Sequence, residues 1–371
     1  MREIFVGLAN LKTRIDLICS GLTHLLVTTM SSVTIQFNPA ILISDFFSSK
    51  SYSSVAVLAD PNTALYCYPL IKDSILPHTL ITIPAGEENK NLNTCQLVWE
   101  NLTNLKADRH SLLLILGGGV LGDLGGFCAA TYKRGIDFVL MPTTLLAQVD
   151  ASVGGKLGID FQNFKNHIGV FCNPVTTLIC PDFLKSLPER ELRSGFAEII
   201  KHCLISDKPM WDVLRKKSLA DQDWNILIRH SVGFKKMVVE NDPKESGLRK
   251  ILNFGHTVGH AVESYFLESD NRIFHGEAIA IGMHCESFIA CKKDLLSKDE
   301  LTEITAYLKL IYPLVALPTV RKPIFDLMIQ DKKNKGNKIL MALTKGIGQA
   351  VWDVEVSAEE IEASLDYYQS I

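Results

Sequence analysis

Leu112-Leu113-Leu114-Ile115-Leu116-Gly117-Gly118-Gly119-Val120-Leu121-Gly122-Asp123 is the stretch on which the fold turns. Five consecutive aliphatic residues fit a strand buried on both faces, and such strands belong to parallel sheets covered by helices. The glycines that follow allow a tight turn into a helix. Gly117-x-Gly119-x-x-Gly122 has the spacing of a dinucleotide-binding turn, where a helix N-terminus receives pyrophosphate. A strand-to-helix turn with no ligand can carry the same glycines, so the spacing alone is a weak signal. The loop also follows a third strand rather than a first, and Asp60 closes an earlier strand instead of lying about 20 residues downstream. Three adjacent glycines cost unfolded-state entropy, which favours a ligand.

Working outward, Ser31–Phe37 alternates like a strand, and Val55–Asp60, Leu80–Pro84 and Phe138–Met141 read as further strands. Asn93–Leu105 has helical period. Strands alternating with helices imply a parallel sheet with helices on both faces and ligands at its carboxyl ends. Beyond about residue 190 the strand signal fades, apart from a late candidate at Ala350–Val354, and amphipathic helices dominate. The pattern predicts an α/β fold: a Rossmann-like nucleotide-binding domain over 30–187, then a mostly helical metal- and substrate-binding domain over 188–371. Residues 1–29 read as an extension, disordered or else not native and set by an upstream start codon wrongly chosen. Arg2, Lys12 and Arg14 precede a mildly apolar Leu17–Leu26, but Glu3 and Asp16 interrupt a transit-peptide pattern, and no clean apolar block marks a secretory signal.

The 371 residues are 47% hydrophobic, enough for a sizeable core, and the net charge of −3 leaves no electrostatic footprint for nucleic acid. Nine cysteines without a Cys-x-x-Cys pair point to a reducing, cytoplasmic setting and away from a disulfide framework or thiolate zinc cluster. No apolar stretch approaches a membrane span.

The second chemical signal is Arg249, Asn253, His256 and His260, at offsets of four, three and four. The spacing predicts one helix with these four polar groups on one face. His275-Gly276-Glu277 follows, and Ala197-Glu198-Ile199-Ile200-Lys201 precedes inside an apolar run. Imidazoles with one carboxylate are the usual ligands of a catalytic zinc. Two histidines four apart are otherwise a common polar stripe on a solvated helix. Here Ile251, Leu252, Phe254 and Val258 cover much of the circumference, so the polar groups need partners. Gly255 and Gly259 each cost about 1 kcal/mol in a helix, which close approach of another backbone or a ligand would explain. Spacing alone would pair His256 with His260 as ligands. Lys156 and Lys165-Asn166, set among small residues, fit an anion-binding loop, although a solvated turn lysine is the plainer reading of each taken singly.

Together, Gly117-Gly118-Gly119-Val120 with Asp123, Pro142–Ala147, Asp150–Lys156, Ala197–Lys201, Leu252–His256 and His275-Gly276-Glu277 resemble the dehydroquinate synthase family, from about Asp60 to Lys333. The resemblance implies conversion of 3-deoxy-D-arabino-heptulosonate 7-phosphate to 3-dehydroquinate by transient oxidation with NAD, phosphate elimination, re-reduction and intramolecular aldol closure. It implies zinc, with cobalt as a substitute, on Glu198, His256 and His275, which makes His260 an active-site histidine rather than a ligand. Phosphate would meet Lys156, Asn166, Arg249 and one of Lys332 and Lys333, with Arg134 reaching across from a partner subunit in a homodimer. Lys235, Arg249 and Asn253 would grip carboxylate and hydroxyls, with Lys201 near the ring. For NAD the matching positions are Asp60, Asn62, Glu87, Lys90, Gly118, Gly119, Val120, Asp123, Thr143, Thr144, Asp150, Lys156 and Lys165. His202-Cys203 departs from the family's frequent tyrosine-glycine, and Phe164 stands where glycine usually precedes the lysine. A related sugar-phosphate cyclase, or a metal-dependent polyol dehydrogenase of similar fold, would share much of this pattern. Retention of Lys235, Arg249 and Asn253 favours an acid substrate, and the phosphate set disfavours a dehydrogenase.

Overall fold

The computed structural model describes residues 32–162, 164–267, 272–329 and 339–371. Residues 1–29, Lys332 and Lys333, on which expectations were placed, lie outside the described residues.

Six strands form one parallel sheet: β1 (Ser32–Ile35), β2 (Val55–Ala59), β3 (His78–Thr82), β4 (Leu112–Gly117), β5 (Asp137–Pro142) and β8 (Thr176–Ile179), in the order β1-β8-β5-β4-β2-β3. β2 and β4 are buried at every position, as their unbroken aliphatic runs require. The connecting helices include α1 (Pro39–Ser48), α2 (Pro61–Tyr66), α3 (Leu92–Asn104) and α4 (Gly119–Thr131). Since β2, β4 and β5 are adjacent, their carboxyl ends bring Asp60, Gly117–Gly119 and Thr143-Thr144 to one rim.

A two-stranded antiparallel hairpin, β6 (Lys156–Phe161) with β7 (Phe164–Phe171), was not anticipated from the sequence. It lies over α4, where a Cβ on Gly126 would come within 2.5 Å of Leu157. Most of β7 is exposed, so it lacks the apolar alternation that identifies a half-buried strand.

The second half is mostly helical: α5 (Glu189–Ser206), α6 (Lys208–Leu214), α7 (Trp224–Asn241), α8 (His256–Phe266), α9 (His275–Lys292), α10 (Lys298–Ile311), α11 (Lys322–Ile329) and α12 (Ala358–Ser370). The late strand is present as β10 (Ala350–Val356), antiparallel to β9 (Ile339–Thr344). α5 is buried from Ser194 to Ile205, and α9 packs against it. Glycines set these contacts. A Cβ on Gly282 of α9 would sit 1.8 Å from the Gly255 carbonyl oxygen, and one on Gly276 would sit 2.1 Å from the carbonyl oxygen of Ser194.

The single helix expected over Arg249–His260 is instead two elements. Leu248–Asn253 is a 3-10 turn, the chain breaks at Gly255 with φ +78°, and α8 starts at His256. The glycine that looked costly inside a helix is the residue that allows the break. His256 and His260 share α8, while Arg249 and Asn253 belong to the preceding turn. No helix among the described residues is long and apolar enough to cross a membrane.

Candidate active site

Glu198 projects from the buried middle of α5, while His256 and His275 are the first residues of α8 and α9. Glu198 Oε1 lies 3.5 Å from His256 Nε2 and 3.6 Å from His275 Nε2. These are poor hydrogen-bond lengths, and this buried oxygen has no hydrogen-bond partner. Donors around a tetrahedral ion at about 2.0–2.1 Å stand roughly 3.4 Å apart, so the three atoms fit a shared divalent cation. Each imidazole is backed at its other nitrogen. His256 Nδ1 is 3.0 Å from the Phe254 carbonyl, and His275 Nδ1 is 3.1 Å from Glu263 Oε2. An Nδ1–H donating there leaves Nε2 free to ligate.

The electrostatics favour that use. Burial, then the nearby Lys201 cation, hold His256 well below the ordinary histidine range, so its ring is a neutral donor. Burial would raise the Glu198 carboxyl, but Lys201, His256 and His275 outweigh it and keep it ionised. For His275, burial opposes charge, yet the facing Glu198 and Glu263 carboxylates push it up to about 10. A cation binding there displaces that proton.

Around the triad the predicted residues gather in three groups. Lys201 is buried and ion-paired with Glu198. Lys235, also buried, contacts Asp150 Oδ1 at 2.5 Å and donates to the Asp150 carbonyl at 2.6 Å. The His260 ring centre stands 4.9 Å from that of His256 and 5.8 Å from that of His275, and His260, Glu263 and His275 form a second cluster with metal-ligand spacing.

Lys156 and Asn253 meet on one carboxylate, Glu245, at 3.2 and 2.8 Å. Arg249 is buried, donates to the Pro243 carbonyl at 2.9 Å, and lies so near Gly154 that a Cβ there would be 3.1 Å from its Nη2. Asp242 holds this turn by accepting the N–H groups of Ser246, Gly247 and Arg249.

The third group lies near the strand ends. Buried Lys90 contacts Asp123 Oδ2 at 2.6 Å and Asn166 Oδ1 at 2.5 Å, which places Asn166 beside the expected cofactor residues. Gly118 caps α4, followed by Gly119 and Val120 in its first turn. A Cβ on Gly118 would touch Thr144 at 3.0 Å, and Thr143 N–H donates to the Gly117 carbonyl. Asp60 caps α2, with Asn62 in its first turn, and Glu87 opens a short 3-10 turn leading to Lys90. Lys165, on β7, pairs with Glu263 at 3.0 Å.

Arg134 is set apart. It is exposed, at φ +68° in the turn before β5, whereas Thr143 and Thr144 follow that strand's other end, roughly 20 Å away by strand rise. His202, a departure from the family pattern, is fully buried 4.0 Å from Glu198, and both ring nitrogens lack hydrogen-bond partners. Burial, with Lys201, lowers it to about 3, so it is neutral. Glu245, Glu263 and Asp242 were missed in the sequence. Glu263 was findable, since it sits seven and three residues after His256 and His260, on the same helical face.

Known proteins resemble this chain over most of its length. Residues 80–194 match the family model for the 3-dehydroquinate synthase N-terminal part, and residues 195–334 match that for its C-terminal part. The 3-dehydroquinate synthase of Parabacteroides distasonis is 39% identical over 333 residues, covering 88% of this chain and 94% of that protein. That of Sulfurovum sp. is 42% identical over 315 residues, covering 82% and 88%. Among solved structures, the 2-epi-5-epi-valiolone synthase ValA from Streptomyces hygroscopicus subsp. jinggangensis 5008, with NAD+ and Zn2+ bound, superposes with TM-score 0.83 at 28% identity, covering 93% of this chain and 98% of that one. A probable glycerol dehydrogenase from Sinorhizobium meliloti 1021 shares the fold, with TM-score 0.66 at 13% identity, covering 92% and 98%. Both family models match in order, and relatives at about 40% identity span most of the chain. The chain belongs to the 3-dehydroquinate synthase family.

Proposed function

We infer that this protein is a phosphate-eliminating carbon–oxygen lyase that converts 3-deoxy-D-arabino-heptulosonate 7-phosphate to 3-dehydroquinate, a step of the shikimate pathway toward chorismate and aromatic amino acids. The observation that carries the reading is the Glu198–His256–His275 triad, ringed by Lys201, Lys235 and the Lys156–Glu245–Asn253 cluster. Zinc, or cobalt in its place, on the triad supplies a Lewis acid for substrate hydroxyls, and NAD at the strand ends supplies a hydride acceptor that each turnover regenerates.

The chain's own residues do the rest. Lys156 and Arg249 provide cations for the phosphate, and Asn253 offers hydrogen bonds to it or to hydroxyls. Lys235, fixed by Asp150, is placed for the carboxylate. Lys201 and His260 flank the ligand set and are the groups positioned to move protons. Lys90, Asp123, Lys165 and Asn166 frame the cofactor together with Asp60, Asn62, Glu87, Gly118, Gly119, Val120, Thr143 and Thr144. In this assignment NAD lies mainly on 30–187, and the metal and substrate lie mainly on 188–371.

The active form is a homodimer in the cytoplasm. Two observations support the dimer. Arg134 cannot reach its own strand ends, and the hairpin exposes Phe164 by 62% and Phe171 by 79%, an apolar surface suited to a partner.

The test is phosphate release from the seven-carbon acid with zinc-loaded protein and trace NAD. Release coupled to 3-dehydroquinate, and abolished by chelator and by Glu198→Ala, supports the reading. Equal turnover of a sugar phosphate lacking the carboxylate would sink it in favour of another cyclase.

A further inference from the structure

Two imidazoles face the metal position, and they are held differently. Behind His256 stands a backbone carbonyl, at 3.0 Å from Nδ1. Behind His275 stands a side chain, Glu263, whose Oε2 is 3.1 Å from Nδ1. Its other oxygen meets Lys165 at 3.0 Å. Glu263 sits on α8, which begins with His256, so one helix delivers a ligand directly and supports a second through its neighbour. The Glu263 side chain is mostly buried, and its two oxygens are divided between His275 and Lys165.

An imidazole offers Nε2 to a metal when its proton is on Nδ1. A carboxylate accepting that proton selects the tautomer, fixes the ring plane and makes Nε2 a stronger donor. Without it, the His275 ring can turn about χ2 or carry its proton on the nitrogen that should ligate. We propose that Glu263 is a positioning residue of the metal centre, setting His275 as an Nε2 donor, with Lys165 balancing its charge. This rests on the metal reading above.

The experiment loads full-length protein with cobalt, measures affinity by chelator competition, and records the visible d–d band together with melting curves before and after loading. Glu263→Ala is expected to weaken cobalt binding by about 10- to 100-fold and to alter the band. The metal-free protein, which loses the Glu263 contacts to His275 and Lys165, melts somewhat lower, and its rise on loading shrinks as well. Glu263→Gln keeps an acceptor oxygen and restores much of the affinity. Lys165→Gln leaves affinity nearly unchanged, because the effect runs through His275 and not through the ion pair. Unchanged affinity and band in Glu263→Ala would overturn the proposal. So would a lower metal-free melting temperature with no separate loss of affinity. If the unaltered protein takes no cobalt, or Glu198→Ala keeps the band, the metal reading itself falls.

Discussion

Lys201 is the side chain whose surroundings say most about its use. It is a fully buried cation against the carboxylate that also faces both histidines. Lys201→Met is expected to lower kcat by roughly 10²- to 10⁴-fold with zinc content unchanged by atomic absorption; loss of the metal as well would make it a structural counter-ion. Asp242 acts further out, holding the turn that presents Arg249. Burial would raise its carboxyl, but hydrogen bonds from Gly247, Ser246 and Arg249 bring it down to about 2 from an ordinary 3.8. A depressed carboxylate stabilises the fold above its unfolded value, and that stability is lost as pH falls through 3.8 toward 2. Asp242→Asn should therefore be less stable than the parent at neutral pH, with the gap in urea midpoints closing as pH drops through that window. At this scale much was legible. Glu198, His256 and His275, which lie far apart in sequence, come together in the fold, and the motifs that single them out record residue types held at fixed places. Glu245 and Asp242 were not legible, since an acid at the end of a turn looks like any solvated carboxylate until the fold brings Lys156 and Arg249 to it.

The helices that carry Glu198, His256 and His275 approach closely because glycines let their backbones touch. Gly282 of α9 leaves no room for a methyl group against the Gly255 carbonyl. Gly282→Ala is predicted to cost about 3 kcal/mol, the upper end for overpacking, and to weaken zinc binding as α8 and α9 separate. A calorimetric melt and chelator competition check both, and a variant with parental stability would show that the helices can slide. Glu286 closes the same junction. Fully buried, it accepts the N–H groups of Gly255, Thr257 and Val258 at 2.6, 3.1 and 3.2 Å, doing the work that the glycine N-cap of α8 cannot. The central strands β2 and β4 were readable from aliphatic runs because both faces are buried, whereas β8, four residues long, was not picked out. The hairpin was not, because its outer surface is exposed, and the break at Gly255 was hidden by a spacing that a continuous helix would also satisfy.

The assembly carries its own prediction. If Arg134 serves the neighbouring subunit, Arg134→Ala and Glu198→Ala proteins are each inactive. Mixed after mild dissociation, they should recover up to about a quarter of parental activity, since half of randomly formed dimers are hybrids with one complete site of two. No recovery, with hybrids demonstrated by mass spectrometry, would place Arg134 in its own subunit's chemistry or in none. Phe171→Glu tests the same arrangement from the surface: size-exclusion should show monomer, with turnover lost in parallel. At this scale the order of α/β and helical halves could be read from where strand patterns stop.

The sheet's topology also bears on how the chain is made. β1 leaves the ribosome early, yet the strand it pairs with, β8, lies 144 residues later, as the contact from Thr176 to Ser32 measures. At synthesis rates of about 5–20 residues per second, that strand waits roughly 7 to 30 s for its partner. A nascent edge exposed for so long is an invitation to wrong pairing. In β1, Ser32 and Thr34 alternate with Val33 and Ile35, which keeps the waiting segment half polar. Production of the protein should then depend more on translation speed and chaperone supply in its first half than on the stability of the finished fold.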